Sequence, residues 1–230
     1  MKITWLGHAG FRIEIAEAVL LVDPWMTGNP VFPQDRRDEA LAGATHILIS
    51  HGHGDHTTDA LGVARDMGIP ILCGFELAEI WSQEDSIDCV GFGKGGTVAA
   101  GGAEVSMVNA VHSSSLDSDG KIRAAGSEAG FMITGEGHRI YFSGDTDIMA
   151  DMDWFGDFYN PDIGILCCGG HYTMGMEGAA YAARRYFDFK TVIPCHYKTF
   201  PILAQSAQPL VDALQGVDVK VPEVLEAITI

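Results

Sequence analysis

The sequence predicts an α+β protein, a four-layer αββα sandwich in which two mixed β-sheets pack face to face with helices outside. Three observations lead there. The chain opens with alternating apolar positions, Ile3, Trp5, Phe11, Ile13 and Ile15, followed by the continuous run Val19-Leu20-Leu21-Val22. That is the period of strands, half-buried and then fully buried. Beyond residue 40, short apolar runs alternate with segments of helical spacing, twice over. The residues with the most distinctive chemistry all fall at strand ends, which would place them along one edge of the sandwich.

Taken in order, residues 2–23 read as antiparallel strands turned at Gly7-His8-Ala9-Gly10, and Asp23-Pro24-Trp25 ends the third. Residues 26–40 read as an irregular loop and a short helix, and Ile47-Leu48-Ile49 as a buried strand. Thr57 and Thr58 offer hydroxyls to cap a helix carrying Leu61, Ala64 and Met67, which stops at Gly68. Ile69 to Cys73 is a strand, Phe75 to Trp81 a helix, and the glycine-dense stretch 91–102 a set of tight hairpins. Val105 to Val111 is a strand that delivers His112. Residues 113–127 read as a pocket-side loop. Strands at Ala129 to Thr134 and Arg139 to Ser143 form a hairpin, and the second delivers Asp145. Ile148, Met152, Phe155 and Tyr159 keep helical spacing. Ile163 to Cys168 is a buried strand ending in Gly169-Gly170-His171, and Met176 to Phe187 an amphipathic helix. Thr191 to Pro194 delivers His196, a helix covers Pro209 to Leu214, and Val217 to Val221 with Glu223 to Ile228 hold the last strand. No linker or short repeat interrupts this pattern, so residues 1–230 read as one domain.

Charge narrows the function. Lys and Arg number 14 against 31 Asp and Glu, a formal charge of −17. Such a surface repels phosphate backbones, so nucleic acid is not an expected partner. No apolar run is long enough to span a bilayer, and the basic and apolar regions of a secretory signal are not seen, so no membrane partner and a cytoplasmic location are expected. The five cysteines lack CxxC spacing and read as reduced thiols. No GxxxxGK[ST] phosphate loop is present. A homo-oligomer is left open.

The stretch Ile47 to Thr58, ILISHGHGDHTT, carries the chemistry. Three imidazoles and a carboxylate fall within the six residues His51-Gly52-His53-Gly54-Asp55-His56, between a strand and a helix. Neutral imidazole and carboxylate are ligands for divalent zinc and, less selectively, manganese or iron. His51 and His53, two apart, can grip one ion, while Asp55 and His56 suit a second beside it. A histidine density of this kind has no purpose in solubility.

HGHGDH matches the HxHxDH signature of the metallo-β-lactamase superfamily. His112, Asp145 in YFSGDTD and His196 in IPCHYKTFP follow in that superfamily's order and approximate spacing. The opening KITWLGHAGFRIE and the stretch GGHYTMG resemble one branch, the small bacterial and archaeal (UPF0173-like) metal-dependent hydrolases related to ascorbate-6-phosphate lactonases. The resemblance covers essentially the whole chain and implies the same αββα fold.

It also implies roles. His51, His53 and His112 would hold one metal, Asp55, His56 and His196 a second, and Asp145 would bridge them. Zinc is the first choice of ion. The expected activity is hydrolysis of a small-molecule lactone, other ester or phosphodiester by a metal-bound hydroxide, with Asp55 orienting it and accepting its proton. His171 is expected to be a catalytic donor on the substrate side, His8 to line the pocket or support a ligand, and Lys198 to attract an anionic group. Arg12 and Arg123 are weaker candidates for that last role. Cys195 should point into the core, and His46 and His138 should be structural or exposed. Two other readings share the fold. Diiron redox members carry a glutamate where this chain has His53, usually with an attached flavin domain. A non-catalytic metal-dependent binding protein would keep the ligands without turnover.

Overall fold

Strands β1 (Lys2–Gly7), β2 (Gly10–Ile15) and β3 (Ala18–Val22) form the antiparallel start that the alternation requires. A 3₁₀ turn and α1 (Arg37–Leu41) lead to β4 (His46–Leu48), which pairs parallel with β3. Helices α2 (Gly54–Thr57) and α3 (Ala60–Met67), strand β5 (Ile71–Gly74), helix α4 (Phe75–Asp85) and strand β6 (Cys89–Phe92) complete the first half in parallel order. The structure, a computed structural model, describes residues 1–118 and 120–230.

The second half begins with the hairpin β7 (Thr97–Ala100) and β8 (Ala103–Asn109), turned by Gly101 and Gly102 at φ +51° and +79°. A small hairpin follows, β9 (Ser115–Ser118) and β10 (Lys121–Ala124). Then come β11 (Ala129–Gly135), β12 (His138–Phe142), α5 (Met152–Trp154), β13 (Ile163–Cys167), α6 (Met176–Tyr186), β14 (Thr191–Cys195), α7 (Gln208–Ala213), β15 (Asp218–Val219) and β16 (Ala227–Thr229). The first seven-stranded sheet has the order β16-β1-β2-β3-β4-β5-β6 and the second β15-β14-β13-β12-β11-β8-β7.

Both sheets are mixed, and three apolar layers hold them. Between the sheets, Trp5, Phe11 and Ile13 pack with Phe131 and Phe142. On the outer face of the first sheet, Leu21, Ile47 and Ile71 meet Val63, Leu77 and Trp81 of α3 and α4. On the outer face of the second, Tyr141 stacks on Phe187 at 5.2 Å and meets Phe155 edge-on at 5.9 Å. Each large side chain buried in this way contributes roughly 1.5–3 kcal/mol. Cys195 lies in the central layer, 1% exposed, as its alternation with His196 predicts. No helix among the described residues is long and apolar enough to cross a membrane.

Five details differ from the sequence reading. Thr57 and Thr58 do not cap a helix; α2 starts earlier, inside the histidine box, and their hydroxyls donate back to the His53 and Gly54 carbonyls. Residues 113–127 are not simply loop, because β9 and β10 pair there; β10 is exposed throughout, so it leaves no buried-face alternation to read. Cys89–Phe92 is an unforeseen edge strand. The segment from Ile148 to Tyr159 holds only the three-residue α5 and a five-residue π-helical turn, Phe155–Tyr159. A Cβ on Gly156 would meet the Tyr186 carbonyl, so that turn is set by contact with the end of α6. The tail divides, with β15 joining the second sheet and β16 pairing with β1 in the first.

Candidate metal centre

The carboxyl ends of the parallel strands of both sheets meet at one edge, where ligands of open α/β sheets usually bind. From the first sheet, β3 delivers Asp23, and β4 leads through Ser50 into His51, His53, Asp55 and His56. From the second, His112 follows β8, Asp145 follows β12 and His196 follows β14. His8, in the β1–β2 turn, closes the edge. Asp23, His8 and His196 have φ of +43°, +52° and +58°, a left-handed backbone uncommon for residues other than glycine.

Four ring nitrogens converge on one carboxylate oxygen. His196 Nε2 lies 2.9 Å, His56 Nε2 3.4 Å, His112 Nε2 3.7 Å and His51 Nε2 4.0 Å from Asp145 Oδ2. His53 Nδ1 is 3.0 Å from His51 Nε2. Asp55 Oδ2 lies 3.0 Å from His8 Nε2 and 3.8 Å from His196 Nε2. Donor atoms of His51, His53 and His112 form one cluster within 4.8 Å, and those of His8, Asp55, His56 and His196 another.

Behind this layer, Asp23 sets the tautomers. Its Oδ1 accepts from the Ser50 backbone N–H at 2.8 Å, and its Oδ2 accepts from the Ser50 hydroxyl at 2.5 Å and from His56 Nδ1 at 2.8 Å. The Ser50 hydroxyl hydrogen is thereby used, so Ser50 Oγ accepts from His51 Nδ1 at 2.9 Å. His51 and His56 therefore both point Nε2 at Asp145. Buried carboxylates that hold ligating histidines in this way raise ligand basicity and fix ring orientation. His8 is fully buried, with Nδ1 2.5 Å from Thr199 Oγ1. A Thr199 hydroxyl donating to Nδ1 leaves Nε2–H to donate to Asp55.

The electrostatics agree. Burial and the neighbouring His56 hold His51 well below the ordinary histidine range. Burial also lowers His53 and His112. His8 falls to about 4 because burial outweighs its bond to Asp55. Burial opposes charge on His56 as well, but Asp145, Asp23 and Asp55 outweigh it and raise that group well above its usual value. Asp145 and Asp55 are opposed by burial too, yet their histidine neighbours hold both below the carboxylate range.

Divalent cations fit this donor set. Among the described residues, buried Asp145 Oδ1 and His56 Nε2 have no hydrogen-bond partner, a costly arrangement in a dry site unless something else binds them. The carboxylates that hold a proton on His56 supply the charge a cation needs in its place.

All seven sequence-predicted metal ligands lie in this cluster: His51, His53, Asp55, His56, His112, Asp145 and His196. His8 lies in the same cluster, supporting Asp55 through Nε2, and is not among the residues that line the cavity. His171 is exposed, at φ +55°, with its ring edge-on to Tyr172 at 4.5 Å. Lys198 leans over the Tyr197 ring, its ammonium 3.9 Å from Glu223. Neither lines the cavity of about 560 Å³ above the cluster, which is bounded by His53, Asp55, His112, Asp145 and His196 on one side and Trp25, Tyr172 and Phe200 on the other. The sequence reading passed over Asp23, Ser50, Thr199, Trp25, Phe200 and Tyr172. The signal available for Asp23 and Ser50 was their place, each a polar residue directly ending an apolar strand run.

Residues 19–197 match the Beta-lactamase superfamily domain. A protein of Dinoroseobacter shibae named UPF0173 metal-dependent hydrolase is 65% identical over 228 residues, covering 99% of each chain. One of the same name from Paracoccus denitrificans is 62% identical over the same length and coverage. Igni18, described as a novel metallo hydrolase from the archaeon Ignicoccus hospitalis, superposes with a TM-score of 0.84 at 29% identity, over 99% of this chain and 97% of that one. The metallo-β-lactamase fold protein YhfI of Bacillus subtilis, 14% identical over 99% of each chain, shares the fold with a TM-score of 0.75. With near-complete coverage at this identity, and a strand-end cluster of imidazoles and carboxylates in a sandwich of two mixed sheets, the chain belongs to the UPF0173 metal-dependent hydrolase family and has the metallo-β-lactamase fold.

Proposed function

We propose that this chain is a dinuclear metal-dependent hydrolase of small molecules, acting on a lactone, another ester or a phosphodiester. The observation that carries the reading is the convergence of four histidine Nε2 atoms within 4.0 Å of Asp145 Oδ2. A carboxylate facing both histidine sets in this way could be shared by two ions. His51, His53 and His112 would hold the first and Asp55, His56 and His196 the second, with zinc the first choice. When bound, such a pair supplies Lewis acidity, lowering the pKa of a shared water and polarising a carbonyl or phosphoryl oxygen.

The chain's own residues do the rest. Asp23 and Ser50 hold His51 and His56 in the ligating tautomer. Asp55 faces the cavity with its side chain 25% exposed, and its carboxylate stays ionised at neutral pH. It is placed to accept the proton of the attacking water, while His8 Nε2–H steadies its Oδ2. Tyr172 lines the cavity, and His171, exposed beside it and outside the lining, is proposed only to assist protonation of the leaving group from the mouth. Five free cysteines, four of them buried, support a reducing cytoplasmic setting. The acidic surface supports a small-molecule substrate over nucleic acid.

The test is Asp55→Asn in metal-loaded protein. The asparagine keeps an oxygen for the metal but cannot take up a proton, so metals should be retained while kcat falls at least about 100-fold, the usual scale for loss of a general base. A fully loaded wild type inert towards lactones, carboxylic esters and phosphodiesters would overturn the hydrolase reading.

A further inference from the structure

Above the ligand cluster the cavity wall is aromatic. Trp25 and Phe200 stack with ring centroids 5.6 Å apart and planes 25° from parallel. Both meet His8 edge-on, at 5.1 and 5.4 Å. Trp25 is held in place by its Nε1–H, which donates to the Thr27 carbonyl at 3.0 Å, and it is 8% exposed. Phe200 is half-buried, and its carbonyl accepts from Gln205 Nε2 at 2.9 Å. Tyr172, 54% exposed, stands at the mouth. A rigid ring surface of this kind recognises flat apolar groups by area and stacking.

The same wall lacks cations. No lysine or arginine is among the described residues that line the cavity. Those the sequence offered as anion receptors are engaged elsewhere. Lys198 leans towards Glu223, and Arg123 pairs with Glu84 through two contacts of 2.7 and 2.5 Å. Arg12 donates to the Ala40 and Ala42 carbonyls. A phosphate or carboxylate held away from the metal ligands normally needs an arginine fork or a lysine. The overall charge of −17 adds a field that repels anions.

We infer that the substrate is a neutral carboxylic ester or lactone with an aromatic or otherwise apolar group that packs on Trp25 and Phe200. This rests on the hydrolase reading and narrows it, setting phosphorylated lactones and phosphodiesters outside the preferred class. The reaction is a hydrolysis without redox change. A water oxygen bonds to the acyl carbon, the acyl–oxygen bond breaks, and the water's proton passes by way of Asp55 to the departing alkoxide, giving an acid and an alcohol. The cavity of about 560 Å³ lies within the roughly 300–1,000 Å³ usual for small-molecule sites.

The experiment uses metal-loaded protein and matched pairs of aryl esters and lactones, each neutral or carrying a phosphate or carboxylate on the ring, together with a diaryl phosphodiester. The neutral member of each pair should have the higher kcat/KM by about 100-fold, and the phosphodiester should be poorer still. Phe200→Ala should raise KM for the neutral aryl substrate about five- to tenfold with a smaller change in kcat, the scale expected for one lost aromatic partner. Phe200→Leu is the fallback if the alanine variant folds poorly, and should fall between. Phe200→Arg should shift the neutral-to-charged ratio towards the charged member by tenfold or more. Metal content and circular dichroism establish that each variant is folded and loaded. Wild-type preference for the charged member, or a KM that Phe200→Ala leaves unmoved, would overturn the inference and leave the hydrolase reading standing. A loaded wild type inert towards every compound would overturn both.

Discussion

Asp23 accepts three hydrogen bonds at the end of β3, in a left-handed conformation that costs a residue with a Cβ about 1–3 kcal/mol. The same strain at His8 and His196 indicates that the surrounding contacts over-determine these positions. Asp23→Ala would leave His56 Nδ1–H and the Ser50 O–H without an acceptor in a buried site. Metal affinity should fall about 10–100-fold, the usual cost of losing an outer-shell carboxylate, as a competitive metal titration would read. Thr199→Val removes the hydroxyl that directs the His8 tautomer. It should lower kcat about tenfold while KM and metal content stay near wild type; an unchanged kcat would remove His8 from the account of Asp55. His171→Ala should keep its metals and lose only a few-fold in rate. Residue type made part of this site legible, because histidines at such density have few other uses. Asp23, Ser50 and Thr199 were not legible, since a single Asp, Ser or Thr at a strand end reads equally well as turn chemistry. Trp25 and Phe200 are distant in sequence, and only the fold makes them neighbours.

At the level of elements, strands with a buried face declared themselves. β2 and β8 alternate, and β3, β11 and β13 carry continuous apolar runs, patterns that burial alone imposes. β10 has every residue exposed and β6 is a short edge strand, so neither carries the pattern. The π-helical turn at Phe155–Tyr159 was hidden for a different reason, since it depends on how closely Gly156 approaches the Tyr186 carbonyl. A similar approach governs the site. A Cβ on Gly169, just after β13, would clash with the His196 carbonyl oxygen. Gly169→Ala must therefore push the backbone of a proposed ligand. We expect a loss of about 2–4 kcal/mol in urea unfolding together with weaker metal binding, although Gly169 touches no metal ligand through a side chain.

Across the whole molecule, the expected ligands come from both sheets: His51, His53, Asp55 and His56 from the first, His112, Asp145 and His196 from the second. Metal binding would join the two halves of the sandwich at one edge. At free metal about 100-fold above Kd, the stabilisation is about 2.7 kcal/mol. For a chain of this length that corresponds to a rise in Tm of roughly 5–10 °C, lost again on chelation, and differential scanning calorimetry would read it directly. The sandwich architecture was legible from the order of strands and helices. The aromatic wall of the cavity was not, because it exists only where the two sheets' loops meet.

If Asp145 is shared by two ions, the number of metal equivalents per chain will show it. Elemental analysis should be run on wild type and Asp145→Ala, each purified without added metal and again after reconstitution. About two equivalents are expected in the wild type and one or none in the variant. One equivalent or fewer in reconstituted wild type, or two in Asp145→Ala, would contradict it.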